Sequence, residues 1–193
     1  ALGYADLALD AQATRLVGAS FNGLGKWKDA EPYLVRALKL YRESPPDERR
    51  AFDLGRTMLD LANALRSMGR LEEAATLQSE SLGLWRAIGN PTSLAHCLNN
   101  MGYDRYVSGD YDAALTLYTE ALVKAEEAED LRTQAWITEG IATTYRDRGE
   151  FERALEIYAR VFSLTGSIGD QSLVSWALDG LGHTHRLAGD LYR

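Results

Sequence analysis

Three histidines and one cysteine have the widest chemical repertoire in this 193-residue chain, and their spacing decides whether it could hold a metal or a reactive thiol. His183 and His185 form a His-x-His pair. On a helix, two residues apart is about 200° of rotation, so the two imidazoles face different ways and read as structural. His96 and Cys97 diverge in the same manner, and no second cysteine stands at metal or nucleophile spacing; Cys97 reads as a small core residue. The carboxylate pairs Glu72-Glu73 and Glu126-Glu127 fall on polar helical faces, where solvation explains them without acid–base work. The glycines between Gly18 and Gly25 lack the Lys-Ser/Thr ending of a phosphate loop. The sequence therefore offers no catalytic constellation, no metal site and no cofactor motif, and a non-enzymatic protein is expected.

Composition narrows the class further. With 46% hydrophobic and 25% charged residues the chain has the make-up of a folded globular protein. Its apolar runs are a few residues long, against the roughly 20 that cross a bilayer, and no basic flank leads into an apolar start. A soluble, cytoplasmic protein without membrane contact is expected, and the lone cysteine suits a reducing compartment. The net charge of −7 supplies no basic footprint for nucleic acid. Arginines number 17 and lysines 4, a bias that genome composition or thermal habit accounts for. Because the chain starts without Met and stops just after a repeat begins, it reads as a fragment of a longer protein.

The elements that would position any functional side chain are set by a period. Gly25, Gly69, Gly109, Gly149 and Gly189 are spaced by 44 and then 40 residues, each closing one amphipathic stretch and preceding another. Seven residues earlier stands a small residue, Gly18, Ala62, Gly102, Ala142 or Gly182. Five residues later comes Ala30, Ala74, Ala114 or Ala154. Small residues at both places let two helices approach closely. Leu115, Tyr118, Ala121 and Leu122 illustrate the i, i+3, i+4 spacing that follows, with no strand alternation to compete. The pattern predicts helical hairpins that bury their apolar faces against neighbouring hairpins.

These residues resemble the tetratricopeptide repeat (TPR): a small residue, an aromatic or Leu three later, glycine at the hairpin, then Ala, Tyr and Ala on the second helix. The resemblance implies an all-α fold, a right-handed α-solenoid of antiparallel helix pairs. It would span 1–193 as one domain, with repeats at about 5–44, 49–89, 91–130 and 131–170 and a partial fifth at 171–193. The 40-residue unit is longer than the usual ~34 and is similar to the units of kinesin light chains and of large bacterial transcription regulators of the maltose-activator type. Ala-Ile-Gly-Asn at 87–90 and Ser-Ile-Gly-Asp at 167–170 carry the likeness to the latter, and Lys-Asp-Ala-Glu-Pro at 28–32 that to kinesin light chains. Three departures stand out. Arg105 takes a place where an aromatic or Leu packs, so it either reaches solvent or marks a rotated helix. Residues 43–50, with Pro45 and Pro46, form an extra-long junction where a bend is expected. The fifth unit has its first helix without most of its second, leaving Leu178 and Leu181 partly uncovered and self-association through that end open. Asn90-Pro91 reads as an N-cap followed by proline at the first helical position.

In this repeat family the inner groove is lined by the first helix of each pair, and the resemblance projects one stripe per unit. The stripes are Gln12, Arg15, Ala19 and Asn22; Arg56, Leu59, Asn63 and Arg66; His96, Asn99, Tyr103 and Tyr106; Trp136, Glu139, Thr143 and Arg146; and Trp176, Asp179, His183 and Arg186. Of these, Arg15, Arg56, Asn63, Arg66, Asn99, Tyr103, Tyr106, Trp136, Arg146, Trp176 and Arg186, with neighbouring Asn100, are the candidate binding residues. Arginine forks take carboxylates bidentately, asparagine amides can hold a peptide main chain, and Tyr or Trp bring apolar area at modest entropic cost. The alternative is that Trp136 and Trp176 pack between units and that the arginines pair with Glu139, Asp147 and Asp179.

The resulting expectation is a protein- or peptide-interaction scaffold, with a carboxylate-rich partner favoured and a small molecule possible. Its leading form is the partner-sensing region of a bacterial signalling or transcription regulator. A stand-alone adaptor joining two proteins is the competing form, with a self-assembling array behind it.

Overall fold

The computed structural model describes residues 4–45, 47–169 and 171–189, so Pro46, Asp170 and the start of a second helix in the fifth unit lie outside the described residues. Among those described, nine α-helices and no strands are present: α1 (Tyr4–Gly23), α2 (Trp27–Glu43), α3 (Glu48–Ser67), α4 (Leu71–Ile88), α5 (Pro91–Val107), α6 (Tyr111–Glu127), α7 (Leu131–Asp147), α8 (Phe151–Ile168) and α9 (Gln171–Leu187). The chain forms two compact units, 1–90 and 91–193.

The periodic glycines do what their spacing predicts. Gly69, Gly109 and Gly149 all sit at φ +81°, a left-handed conformation that costs an L-residue with a Cβ about 1–2 kcal/mol. The turn lets the next amide reach back to a carbonyl of the finished helix. Asp110 N donates to Arg105 O and Glu150 N to Tyr145 O, each at 2.9 Å, so carbonyls left open at the helix end are satisfied. The junctions between pairs use the same device at Gly89 and Gly169, at φ +72° and +73°. At the corresponding place between α6 and α7 stands Glu129, at φ +53° with no glycine to relieve it. The next residue, Asp130, caps α7: its Oδ1 accepts from Thr133 N at 3.0 Å and its Oδ2 from Thr133 Oγ1 at 2.8 Å.

In the first unit, α1 pairs with α2 and α3 with α4, around a core of Leu34, Leu38, Leu54, Met58, Leu61 and Leu65. A Cβ on Gly18 would stand 2.6 Å from Leu34 Cγ, which is why the small residue is needed there. Trp85, fully buried, lies against Gly55 and meets the Phe52 ring edge-on at 5.1 Å. The long junction after α2 is closed by charges. Asp47 caps α3 by accepting from Arg50 N at 2.6 Å, and Arg50 donates back from Nε to Tyr41 O at 2.5 Å.

In the second unit, α5 pairs with α6 and α7 with α8, while α9 packs on α8. Helix α5 begins at Pro91, as expected of a proline at the first helical position. The second helices drive a tyrosine between successive first helices. Tyr118 sits where a Cβ on Gly102 or Gly140 would fall 2.8 or 2.9 Å from its ring, and Tyr158 fills the same niche against Gly180. Gly182 has no atom within 4 Å of the place its Cβ would take, Leu178 is 51% exposed and Leu181 is half-buried, the partly uncovered face that was expected. Arg105 reaches solvent, the first of its two expected outcomes.

Candidate functional site

Within the second unit α5 touches α7 and α7 touches α9, so the three first helices form one continuous face. Their sequence stripe places polar and aromatic groups along it, and the side chains join into a chain of hydrogen bonds. The Tyr106 hydroxyl on α5 donates to Asp147 Oδ2 at 2.5 Å, and Arg146 Nε donates to Asp147 Oδ1 at 2.8 Å. Arg146 also donates from a terminal nitrogen to the Tyr158 hydroxyl of α8 at 3.3 Å. That hydroxyl lies 2.7 Å from Thr143 Oγ1, which donates to Glu139 Oε1 at 2.7 Å. Six residues from three helices are thereby fixed in one arrangement.

The electrostatics follow from burial and partners. Burial alone would raise the Asp147 carboxyl, but the bonds from Arg146 and Tyr106 hold it below the usual carboxylate range. Glu139 goes the other way: desolvation lifts its carboxyl above the ordinary value, and Thr143 and Arg146 offset only part of that. Burial and the adjacent Asp147 push the Tyr106 phenol well above its usual range, keeping it a proton donor.

Around this chain stand the apolar groups. Tyr103, 46% exposed, lies 6.1 Å from the Tyr106 ring, which lies 6.0 Å from Tyr111. Trp136, 41% exposed, lies 6.5 Å from His96. Asn99, Asn100 and Trp176 are half-buried and Arg186 is exposed. The face thus combines a rigid polar floor with two exposed aromatic side chains.

The first unit treats its stripe differently. Arg15 is only 4% exposed and binds Asp60 at 3.0 Å, while Asn22 Nδ2 donates to Asp60 O at 2.7 Å. Desolvation raises the Asp60 carboxyl despite the arginine beside it, in an ion pair whose arginine is buried and whose carboxylate is half-buried. Leu59 is buried, Asn63 and Arg66 are half-buried, and exposed Arg56 lies over the Phe52 ring at 5.8 Å. Of the projected arginines, Arg15 and Arg146 thus carry acids of their own chain. The pairing of Arg146 with Asp147 is the one the alternative reading expects, whereas the chain from Tyr106 to Glu139 is not legible as a unit, because Tyr158, its joint on α8, lies off the projected stripe. Among the described residues, no group of three or more His, Cys, Asp or Glu could hold a metal, and no helix is long and apolar enough to cross a membrane.

Comparison with known proteins agrees with this architecture. Tetratricopeptide repeat models match residues 53–127 and 135–166, together more than half of the chain. Protein KINESIN LIGHT CHAIN-RELATED 2 of Arabidopsis thaliana is 24% identical over 114 residues, which is 58% of this chain and 17% of that protein. Among solved structures, aspartyl phosphate phosphatase F from Bacillus subtilis superposes with a TM-score of 0.84 at 16% identity, over 96% of this chain and 49% of that one. A signal transduction ATPase with numerous domains and a tetratricopeptide repeat sensor, from Pyrococcus horikoshii, gives 0.78 at 17% identity, over 93% of this chain and 28% of that one. The chain therefore spans between about a sixth and a half of these relatives' lengths. With helix pairs of this register, glycine turns and the matched repeat models, the chain belongs to the tetratricopeptide repeat family.

Proposed function

We propose that this chain recognises a protein or peptide on the first-helix face of its second unit, and that it serves as the partner-sensing region of a signalling or transcription regulator. The observation that carries the reading is the exposure of Tyr103 and Trp136 beside a polar floor fixed by the Tyr106–Asp147–Arg146 bonds. Rigid aromatics supply binding area at low entropic cost, and a floor already ordered before binding loses little on association. Asn99 and Asn100 stand on the same helix as Tyr103, where amides can pair with a peptide main chain. Recognition of a carboxylate-rich partner on this face falls to the exposed Arg186. The sensor of the Pyrococcus horikoshii protein supports the regulatory role, since it is a tetratricopeptide repeat region of a larger signalling chain.

The test is a peptide selected against the whole chain from a random library, titrated into the Tyr103→Ala/Trp136→Ala double variant. Both side chains are more than 40% exposed, so helicity should be retained. Affinity is expected to fall at least about tenfold, the equivalent of 1.4 kcal/mol. Unchanged affinity would put the binding surface elsewhere.

A further inference from the structure

The second helices of the second unit repeat one motif, and its two copies are finished differently. Tyr158 on α8 is fully buried, and its hydroxyl is held by two α7 side chains, Thr143 at 2.7 Å and Arg146 at 3.3 Å. Tyr118 stands 40 residues earlier on α6, wedged against Gly102 and Gly140 in the same way. On α5 the places of Thr143 and Arg146 are taken by Tyr103 and Tyr106. Neither holds the Tyr118 hydroxyl, which makes no hydrogen bond among the described residues.

That hydroxyl is not sealed off. Tyr118 is 2% exposed, and what stays open includes the hydroxyl, which faces Glu139 on α7 and Tyr103 and Tyr106 on α5. Burial and the nearby Glu139 charge push the phenol above its usual range, so it keeps its proton. Glu139 accepts one hydrogen bond, at Oε1 from Thr143, and no ion pair among the described residues neutralises it. Arg146, the cation whose field reaches Glu139, is committed to Asp147 and to Tyr158. A hydroxyl without a partner, a carboxylate with bonding capacity to spare and the exposed Tyr103 ring therefore meet at the step from α5 to α7. An unmade bond at such a place is free energy that an entering donor recovers.

We propose that the first-helix face takes an arginine side chain of its partner at this step, its guanidinium donating to the Tyr118 hydroxyl and to Glu139 and lying over the Tyr103 ring. The proposal rests on the reading of this face as the binding surface and names the residue that enters it. The incoming guanidinium does here what Arg146 does one repeat on, where it joins a wedged tyrosine to a carboxylate. A planar fork serves two acceptors while stacking on an aromatic ring, which a compact ammonium does less well. Charge favours its entry, because the second unit holds sixteen acidic and nine basic side chains. Acids of the same partner are left for Arg186.

The experiment takes peptides selected against the whole chain from a random library and replaces each arginine in turn by citrulline, which keeps the shape and removes the charge. One replacement is expected to cost at least about tenfold in affinity for the wild-type chain and less than about twofold for Glu139→Gln. Glu139→Gln nearly preserves shape and Tyr118→Phe removes a hydroxyl without a partner, so urea unfolding should find both folded. Each should bind the parent peptide at least about fivefold more weakly than wild type. Selected peptides without arginine, or a citrulline cost as large for Glu139→Gln as for wild type, would overturn the proposal. If Tyr103→Ala/Trp136→Ala still weakens binding in that case, the face remains the binding surface and the arginine site alone falls. If the double variant also binds like wild type, both fall.

Discussion

Two carboxylates on the same helix, Glu139 and Asp147, are pushed in opposite directions, and their protonation gives the first-helix face its pH behaviour. Asp147 is depressed, so the stability it contributes is present above the ordinary carboxylate range and is lost as pH falls through its lowered value. Tyr106→Phe removes one of the two bonds that hold it there. The variant should lose about 1 kcal/mol in urea unfolding at neutral pH, and the loss should shrink as acid protonates Asp147 in both proteins. Glu139 has the reverse sign. Its raised value means the folded state binds its proton more tightly, so stability falls as pH rises from the ordinary glutamate value through the raised one. Glu139→Gln should therefore unfold at the same or higher urea concentration than wild type at pH 7. The variant should also lack the wild-type decline across that window. Equal pH profiles for the two proteins would show that Glu139 is not held out of water. At this scale the sequence was least informative: helical spacing projected Arg15 onto an open face, but not that Asp60, 45 residues later, would bury it in an ion pair.

Helices and turns were legible because each repeat restates the same instruction. The small residues opposite Leu34 and Tyr118 and the glycine turns were all visible as spacings, and all occupy the expected places. The second wedge, Tyr118 into Gly140 and Tyr158 into Gly180, was written at the same 40-residue interval, but pairing it requires knowing which helix follows across the junction. Gly180→Ala should force the Tyr158 ring aside and cost about 1–3 kcal/mol, read as a lower thermal midpoint. The junction before α7 carries the opposite opportunity. Glu129 holds a left-handed conformation where its counterparts are Gly89 and Gly169. Glu129→Gly should raise stability by about 1 kcal/mol, whereas Asp130→Ala, one residue on, should lower it by about as much by removing the α7 cap. A Glu129→Gly variant no more stable than wild type would mean that the turn is relieved in some other way.

Across the whole molecule, charge is unevenly spread. Residues 1–90 hold twelve acidic and twelve basic side chains, and residues 91–193 hold sixteen acidic and nine basic, so the net −7 belongs to the second unit. A field of that sign speeds the approach of basic segments and is screened over about 10 Å at 0.1 M salt. The same field opposes the approach of the carboxylate-rich partner proposed above, so association of an acidic peptide should quicken as salt rises, while its dissociation, governed by aromatic contacts, should change little. The central claim is that the second unit binds through its first helices, and hydrogen exchange on the intact chain tests it most directly. With a library-selected peptide bound, added protection is predicted along α5 and α7 around Asn99, Tyr103 and Trp136. Protection confined to α6 and α8, where Val123 and Phe162 are exposed, would contradict it.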